Sequence, residues 1–191
     1  MPRALSEKFL SKKKIFSGRA INFHVDTVRL PNGKKATREF VDHPGAAAVV
    51  PLTADGCVIL VRQHRHPVGR ITYELPAGKL DQGESPRTCV RRELREETGY
   101  TAKRYRPLLT FWPAPAFSNE RLHIFVAEGL TAGSPSPDED EFVETARIPF
   151  KTALRWVHSG KIQDAKTVIG LLACANGKAP TRKSPAKRRR R

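Results

Sequence analysis

Residues 78–100 read GKLDQGESPRTCVRRELREETGY, and the layout of this stretch decides what fold to expect. Ser85-Pro86 is a helix start, because serine caps free amides and proline is tolerated at the first helical position. Gly99 is the matching stop. Between them Val90 and Leu94 stand four apart and mark a buried stripe, joined by Cys89. Glu93 and Glu97 are also four apart on a different face, with Glu96 three after Glu93. Like charges at that spacing repel, so something positive should offset them: Arg92, a bound cation, or both. A solvated face salted with Arg91, Arg92 and Arg95 is the alternative. Oxygen-rich sets of this kind hold magnesium beside phosphate esters.

Outward from the helix, the chain reads as strands. Upstream, Lys14–Ser17, Ile21–Leu30 and Ala36–Asp42 form a small group, with Pro31-Asn32-Gly33 as the turn between the last two. Ala46–Leu52 is a buried strand, Ala54-Asp55-Gly56 a turn, and Cys57–Gln63 the next strand. Ile71–Leu75 is a short strand that leads into a loop at Pro76-Ala77-Gly78. Downstream come strands at Tyr105–Phe111, Leu122–Ala127 and Phe142–Ile148, the last preceded by a loop over Thr131–Asp140. Helices follow at Lys151–Ser159 and Asp164–Ala175, with Gly160 as a stop between them. Strands interleaved with helices predict an α/β sandwich with a mixed sheet.

The chain has 191 residues, 39% hydrophobic and 28% charged, which suits one globular domain with a small appendage. No run approaches a membrane span and the N-terminus has no apolar signal segment, so a cytoplasmic protein without membrane contact is expected. Cys57, Cys89 and Cys174 have no paired spacing and read as reduced thiols, not a zinc site. The net charge of +16 sits at the ends: residues 178–191 carry +8, residues 1–40 carry +7, and the body is near +1. A Pro, Ser, Lys and Arg tail of that kind cannot bury enough apolar surface to order itself. It is either a solubilising end or a weak nucleic-acid contact.

The spacing of residues 78–100 resembles the Nudix hydrolase signature. Gly78, Glu84, Arg92, Glu93, Glu96, Glu97 and Gly99 occupy all seven of its fixed positions. Leu94 is the first bulky apolar residue, and Tyr100 is aromatic where the pattern is usually aliphatic. Further segments are similar to the ADP-ribose pyrophosphatase branch of that family, over roughly residues 14–175. They are Arg62-Gln63-His64-Arg65, Glu74-Leu75-Pro76-Ala77-Gly78, Pro115 within residues 114–120, the acidic run 138–144, and Gly160 to Thr167.

The resemblance implies a Nudix α/β/α sandwich (residues 44–177) and an N-terminal antiparallel sheet (1–43) that helps form a homodimer and contact substrate; composition adds a disordered basic tail (178–191). It implies hydrolysis of ADP-ribose to AMP and ribose 5-phosphate with Mg2+ or Mn2+, two or more ions per site. Glu93, Glu97 and Glu96 are the expected metal ligands, and by resemblance the backbone carbonyl of Ala77 joins them. Arg92 resembles the residue that orients a signature glutamate. Glu84 is either an outer ligand or a structural partner.

A general base should be a separate carboxylate on a loop. Glu139 matches the family's loop position, with Glu141 as the alternative, and a purely solvated acidic loop is the bland reading. Arginine forks suit diphosphate oxygens, and Arg38 and Arg65 match substrate-binding positions. Glu120 matches a position that meets the distal ribose, and Pro115 marks the substrate loop, with Ala116 replacing the glycine usual after it. Arg19 and Phe23 both lie near the adenine-stacking place. His123, in an alternating strand, reads as a structural residue. Two other functions stay open: a Nudix hydrolase of another nucleoside diphosphate sugar or of a dinucleotide, and a polyanion-binding protein acting through its basic ends.

Overall fold

The computed structural model describes residues 5–137 and 141–177. The predicted basic tail, 178–191, lies outside the described residues. Among the described residues, ten strands and three α-helices form two sheets and two helical layers.

The first sheet is an antiparallel meander of β1 (Lys8–Ser17), β2 (Asn22–Arg29) and β3 (Lys35–Asp42). The expected turn is present: Gly33 has φ 87°, and its amide donates to the Leu30 carbonyl at 2.9 Å. A left-handed residue of that kind is a natural place for glycine. β1 begins six residues earlier than its sequence suggests, because backbone pairing with β2 carries a lysine-rich strand whose side chains stay mostly exposed. The sheet meets the main body at a bridge between Val41 and Ser118 and through Asn119, which bonds Asp42 and the His43 amide.

The second sheet holds the site. Its spine is β4 (Ala46–Leu52) beside β9 (Leu122–Thr131), paired in parallel. β8 (Thr101–Phe111) adds antiparallel to β9. On the other side stand β5 (Cys57–Arg65), β10 (Val143–Pro149) and β6 (Arg70–Glu74), with β10 and β6 each antiparallel to β5. One parallel pair among antiparallel ones makes the sheet mixed, as expected. A short strand, β7 (Ala77–Lys79), pairs antiparallel with β4. The sequence reads as a loop there, because three residues are too few to show alternation. β8 also starts earlier than expected and β9 ends later, since their outer ends carry arginine, lysine and glutamate on the solvent side. Pro107 sits at the register shift of β8, where the missing donor disturbs no regular pair.

The sheet is buried on both faces. Alternate residues of β4 and β9 point opposite ways. Ala46, Ala48 and Val50 pack with Leu122, Ile124 and Val126 against α2 (Phe150–His158) and α3 (Ala165–Ala175). Ala47 and Val49 pack with Phe125 and Ala127 against Cys89, Val90 and Leu94 of α1 (Pro86–Thr98). Burial on both faces explains the continuous apolar run of β4. Where α3 crosses the sheet, a Cβ at Gly170 would stand 2.6 Å from Leu75 Cδ1, so a side chain there would force the helix away. Cys57 and Cys89 are buried and Cys174 is half-buried, all as free thiols. No helix among the described residues is long and apolar enough to cross a membrane.

Candidate active site

α1 begins and ends as its sequence dictates. Ser85 Oγ accepts the Thr88 amide at 3.1 Å, Pro86 opens the helix, and Gly99 closes it at φ 74°. Such a serine cap contributes about 1 kcal/mol. The predicted apolar stripe is fully buried, and it drags the acidic face partly inward. Glu93 is only 7% exposed and Glu97 only 4%.

Arg92 offsets this concentration of charge. Its Nε and Nη2 grip the two oxygens of Glu84 at 3.1 Å each, and Nη2 also donates to the Lys79 carbonyl at 3.3 Å. Its Nη1 donates to Glu93 at 2.6 Å and to Glu96 at 3.2 Å. One guanidinium therefore ties Glu84 of the loop to two helix carboxylates, Glu93 and Glu96, and Glu84 here is its partner. Arg92 holds Glu84 below the usual carboxylate range. Glu97 is held from the opposite side by the Ala77 amide, at 3.1 Å. Burial raises the Glu93 carboxyl to about 7, with Glu141 and Glu96 adding to the rise and Arg92 opposing it. Burial raises Glu97 to about 8, Glu93 and Glu141 adding and the Ala77 amide and Lys166 opposing. Gly78 is required by this geometry: a Cβ there would fall on the Glu93 carboxylate.

These groups open into a cleft of about 640 Å³. Ala77, Arg92, Glu93 and Glu141 line one part of it, and Arg65, Lys166, Glu120 and Arg19 line others. Glu74 lies behind the cations, 1% exposed. Arg65 clasps it with Nε and Nη2 at 2.8 Å each, Thr72 donates to it at 2.6 Å, and Lys166 forms a close ion pair with it. Burial pushes Glu74 up, but the bonds from Arg65 and Lys166 win and bring its pKa to about 2.

The donor set fits a hydrated divalent cation. Among the described residues no group of three or more His, Cys, Asp or Glu side chains closes into a cage. What is present is a pair of buried carboxylates, Glu93 and Glu97, each engaged by protein donors through one oxygen. Magnesium uses such sites, taking one or two carboxylates and completing its shell with water and substrate phosphate oxygens. Positive charge there would favour the ionised forms that burial, and to a lesser extent the neighbouring carboxylates, disfavour.

Other expected site residues fall elsewhere. Arg38 and Pro115 line a separate cleft of about 530 Å³ with Trp112 and Phe117, and Arg38 is paired with Glu7. Glu96 is half-buried and engaged by Arg92 and Arg95. Glu139 lies outside the described residues. Phe23 stays within β2, while Arg19 reaches the glutamate cleft. His123 pairs with Thr110 across β8 and β9 at 3.0 Å, and burial lowers its pKa. Sequence reasoning missed Lys166, Lys79 and His43, which also line the cleft. The cap pattern Asp164-x-x-Thr167 is the one signal that could have placed Lys166, in the first turn of a helix.

The family model described as the NUDIX domain matches residues 42–168. The chain is 45% identical to the ADP-ribose pyrophosphatase of Bacillus subtilis (strain 168) over 88% of its own length and 92% of the relative's. It is 41% identical to the methanol dehydrogenase activator of Bacillus methanolicus, over 90% of its length and 94% of that protein's. Among solved structures, one described as an ADP compounds hydrolase superposes with a TM-score of 0.79, covering 91% of this chain and 95% of its own at 23% identity. That likeness is one of fold.

Proposed function

The chain belongs to the NUDIX family and is a NUDIX hydrolase; from that premise we propose that it hydrolyses ADP-ribose to AMP and ribose 5-phosphate with Mg2+ or Mn2+. The observation that carries the reading is the cleft itself. Buried Glu93 lines it together with Glu141, Arg65 and Lys166, and buried Glu97 stands one helical turn from Glu93, so carboxylates suited to a metal ion and a pair of cations meet in one space. The substrate is taken from the 45% identical ADP-ribose pyrophosphatase.

In this mechanism Glu93 and Glu97, with Glu96 and the Ala77 carbonyl, would hold the divalent ions, two or more per site. Ions held there would supply charge screening for the diphosphate and a lowered pKa for water. Arg92 fixes the direction of Glu93 and Glu96 by its hydrogen bonds. Arg65 binds diphosphate oxygens, since its Nη1 has no partner among the described residues while Nε and Nη2 are committed to Glu74. The acidic loop before β10 supplies the base that takes the proton from the attacking water. Glu141 lines the cleft, and Glu139 is two positions before it in the sequence. Glu139→Gln and Glu141→Gln separate them: the base variant loses kcat more than it raises KM.

We place the chain in a homodimer through its first sheet. Leu5, Phe9, Ile15 and Phe16 are strongly exposed there, and Trp112 and Phe117 are exposed beside Arg38. A second copy would give Arg38, Pro115 and Glu120 a shared substrate surface. The reading is tested by turnover of ADP-ribose, GDP-mannose and NADH under magnesium. The highest kcat/KM on ADP-ribose supports it, and negligible turnover of ADP-ribose beside good turnover of another compound overturns the substrate.

A further inference from the structure

We infer that Glu74 is a positioning residue that gathers Arg65 and Lys166 into a two-cation clamp, and that Lys166 is a second contact for the substrate's diphosphate. The inference rests on the diphosphate-hydrolase reading above and adds two residues to it.

Glu74 ends β6, Arg65 ends the neighbouring β5, and Lys166 stands in the first turn of α3. All four partners of Glu74 are protein donors: two from Arg65, one from Thr72 and one from Lys166. A carboxylate so saturated and so buried is left without a role in proton transfer or metal binding. Its effect is to hold two cations side by side that would otherwise repel. Buried ion clusters contribute little net stability, because desolvation cancels most of the attraction. Their position is the more informative property, and here both cations border the cleft that contains Glu93.

Lys166 is fixed as firmly as Arg65. Asp164 caps α3, accepting from the Thr167 amide at 3.0 Å, and also binds the Lys166 ammonium at 2.9 Å. Thr167 Oγ1 accepts the Leu75 amide at 2.8 Å. The first turn of α3 is thereby docked onto the segment that runs from Glu74 to Ala77 and Gly78. The Lys166 side chain is only 13% exposed, so it spans a short, defined path to the cleft. Among the described residues Arg65 Nη1 has no partner and Lys166 Nζ has two, Glu74 and Asp164, so the pair has donors left for adjacent phosphate oxygens.

The test compares the full-length wild type with Lys166→Met, Glu74→Gln and Glu74→Asp at fixed free magnesium. KM and kcat are measured on ADP-ribose, and inorganic pyrophosphate is titrated as a ligand that has the diphosphate alone. Loss of a charge-assisted bond predicts that Lys166→Met raises KM and weakens pyrophosphate binding in parallel, each roughly tenfold or more, with kcat changed far less. Glu74→Gln shifts both in the same direction, and Glu74→Asp recovers part of the loss. A lower melting temperature with unchanged KM and unchanged pyrophosphate affinity in Lys166→Met would assign the cluster to folding and overturn the clamp. If Glu74→Gln does not fold, Lys166→Met still decides. If the wild type leaves ADP-ribose intact, the substrate reading fails separately, and pyrophosphate binding still judges the clamp.

Discussion

Arg92 holds Glu84 by two parallel bonds of 3.1 Å and, with its remaining nitrogen, donates to Glu93 at 2.6 Å. The signature arginine thus links the loop ahead of α1 to the carboxylates on its buried face. A lysine cannot reproduce this fork. Arg92→Lys is expected to weaken magnesium binding by about 10- to 100-fold, as for other residues that orient metal ligands. Isothermal titration with Mg2+ checks this, and unchanged affinity would remove Arg92 from the orienting role.

Glu97→Gln removes the more deeply buried carboxylate while keeping its shape. Turnover is expected to fall by orders of magnitude. Metal-free stability is expected to hold or rise, because burial penalises the ionised carboxylate and has raised its pKa to about 8. Thermal melts and steady-state rates measured together check both halves.

Gly78→Ala is expected to be disproportionately harmful for one methyl group. The added Cβ would occupy the space of the Glu93 carboxylate, which is itself tied to Arg92. Activity should fall sharply, with stability lowered by about 1–3 kcal/mol as in other overpacked sites. An alanine variant with normal rates would show that Glu93 has room to move.

The pH dependence of stability should carry the mark of Glu74. Its folded pKa lies at about 2, below the ordinary carboxylate range. A carboxylate depressed in this way stabilises the fold above its unfolded pKa, and that contribution is lost as pH falls from about 4.5 toward 2. Urea melts of wild type and Glu74→Gln should therefore differ most near neutral pH and converge in acid. A gap independent of pH would mean that the Glu74 charge is not what Arg65 and Lys166 stabilise.

The parts of this molecule that were legible in sequence are local ones. Ser85 and Pro86 open α1 and Gly99 closes it, and the Cys89, Val90 and Leu94 stripe needs only helical periodicity. Pro31-Asn32-Gly33 likewise announces its own turn. The unread parts depend on distant partners. Ala77–Lys79 is a strand only because β4 lies beside it, and Lys8–Lys13 is a strand only because β2 does. Glu74 and Lys166 are 92 residues apart, so no spacing rule joins them. The separation of Arg38 from the glutamate cleft is of the same kind, since it depends on how the first sheet is carried on Val41 and Asn119.

The most direct measurement is identification of the products formed from ADP-ribose by the purified full-length chain in magnesium, beside its Glu97→Gln variant. AMP and ribose 5-phosphate from the wild type, abolished by chelation and nearly absent with Glu97→Gln, is the predicted result. ADP-ribose left intact by the wild type, or cleaved equally by the variant, would contradict the account.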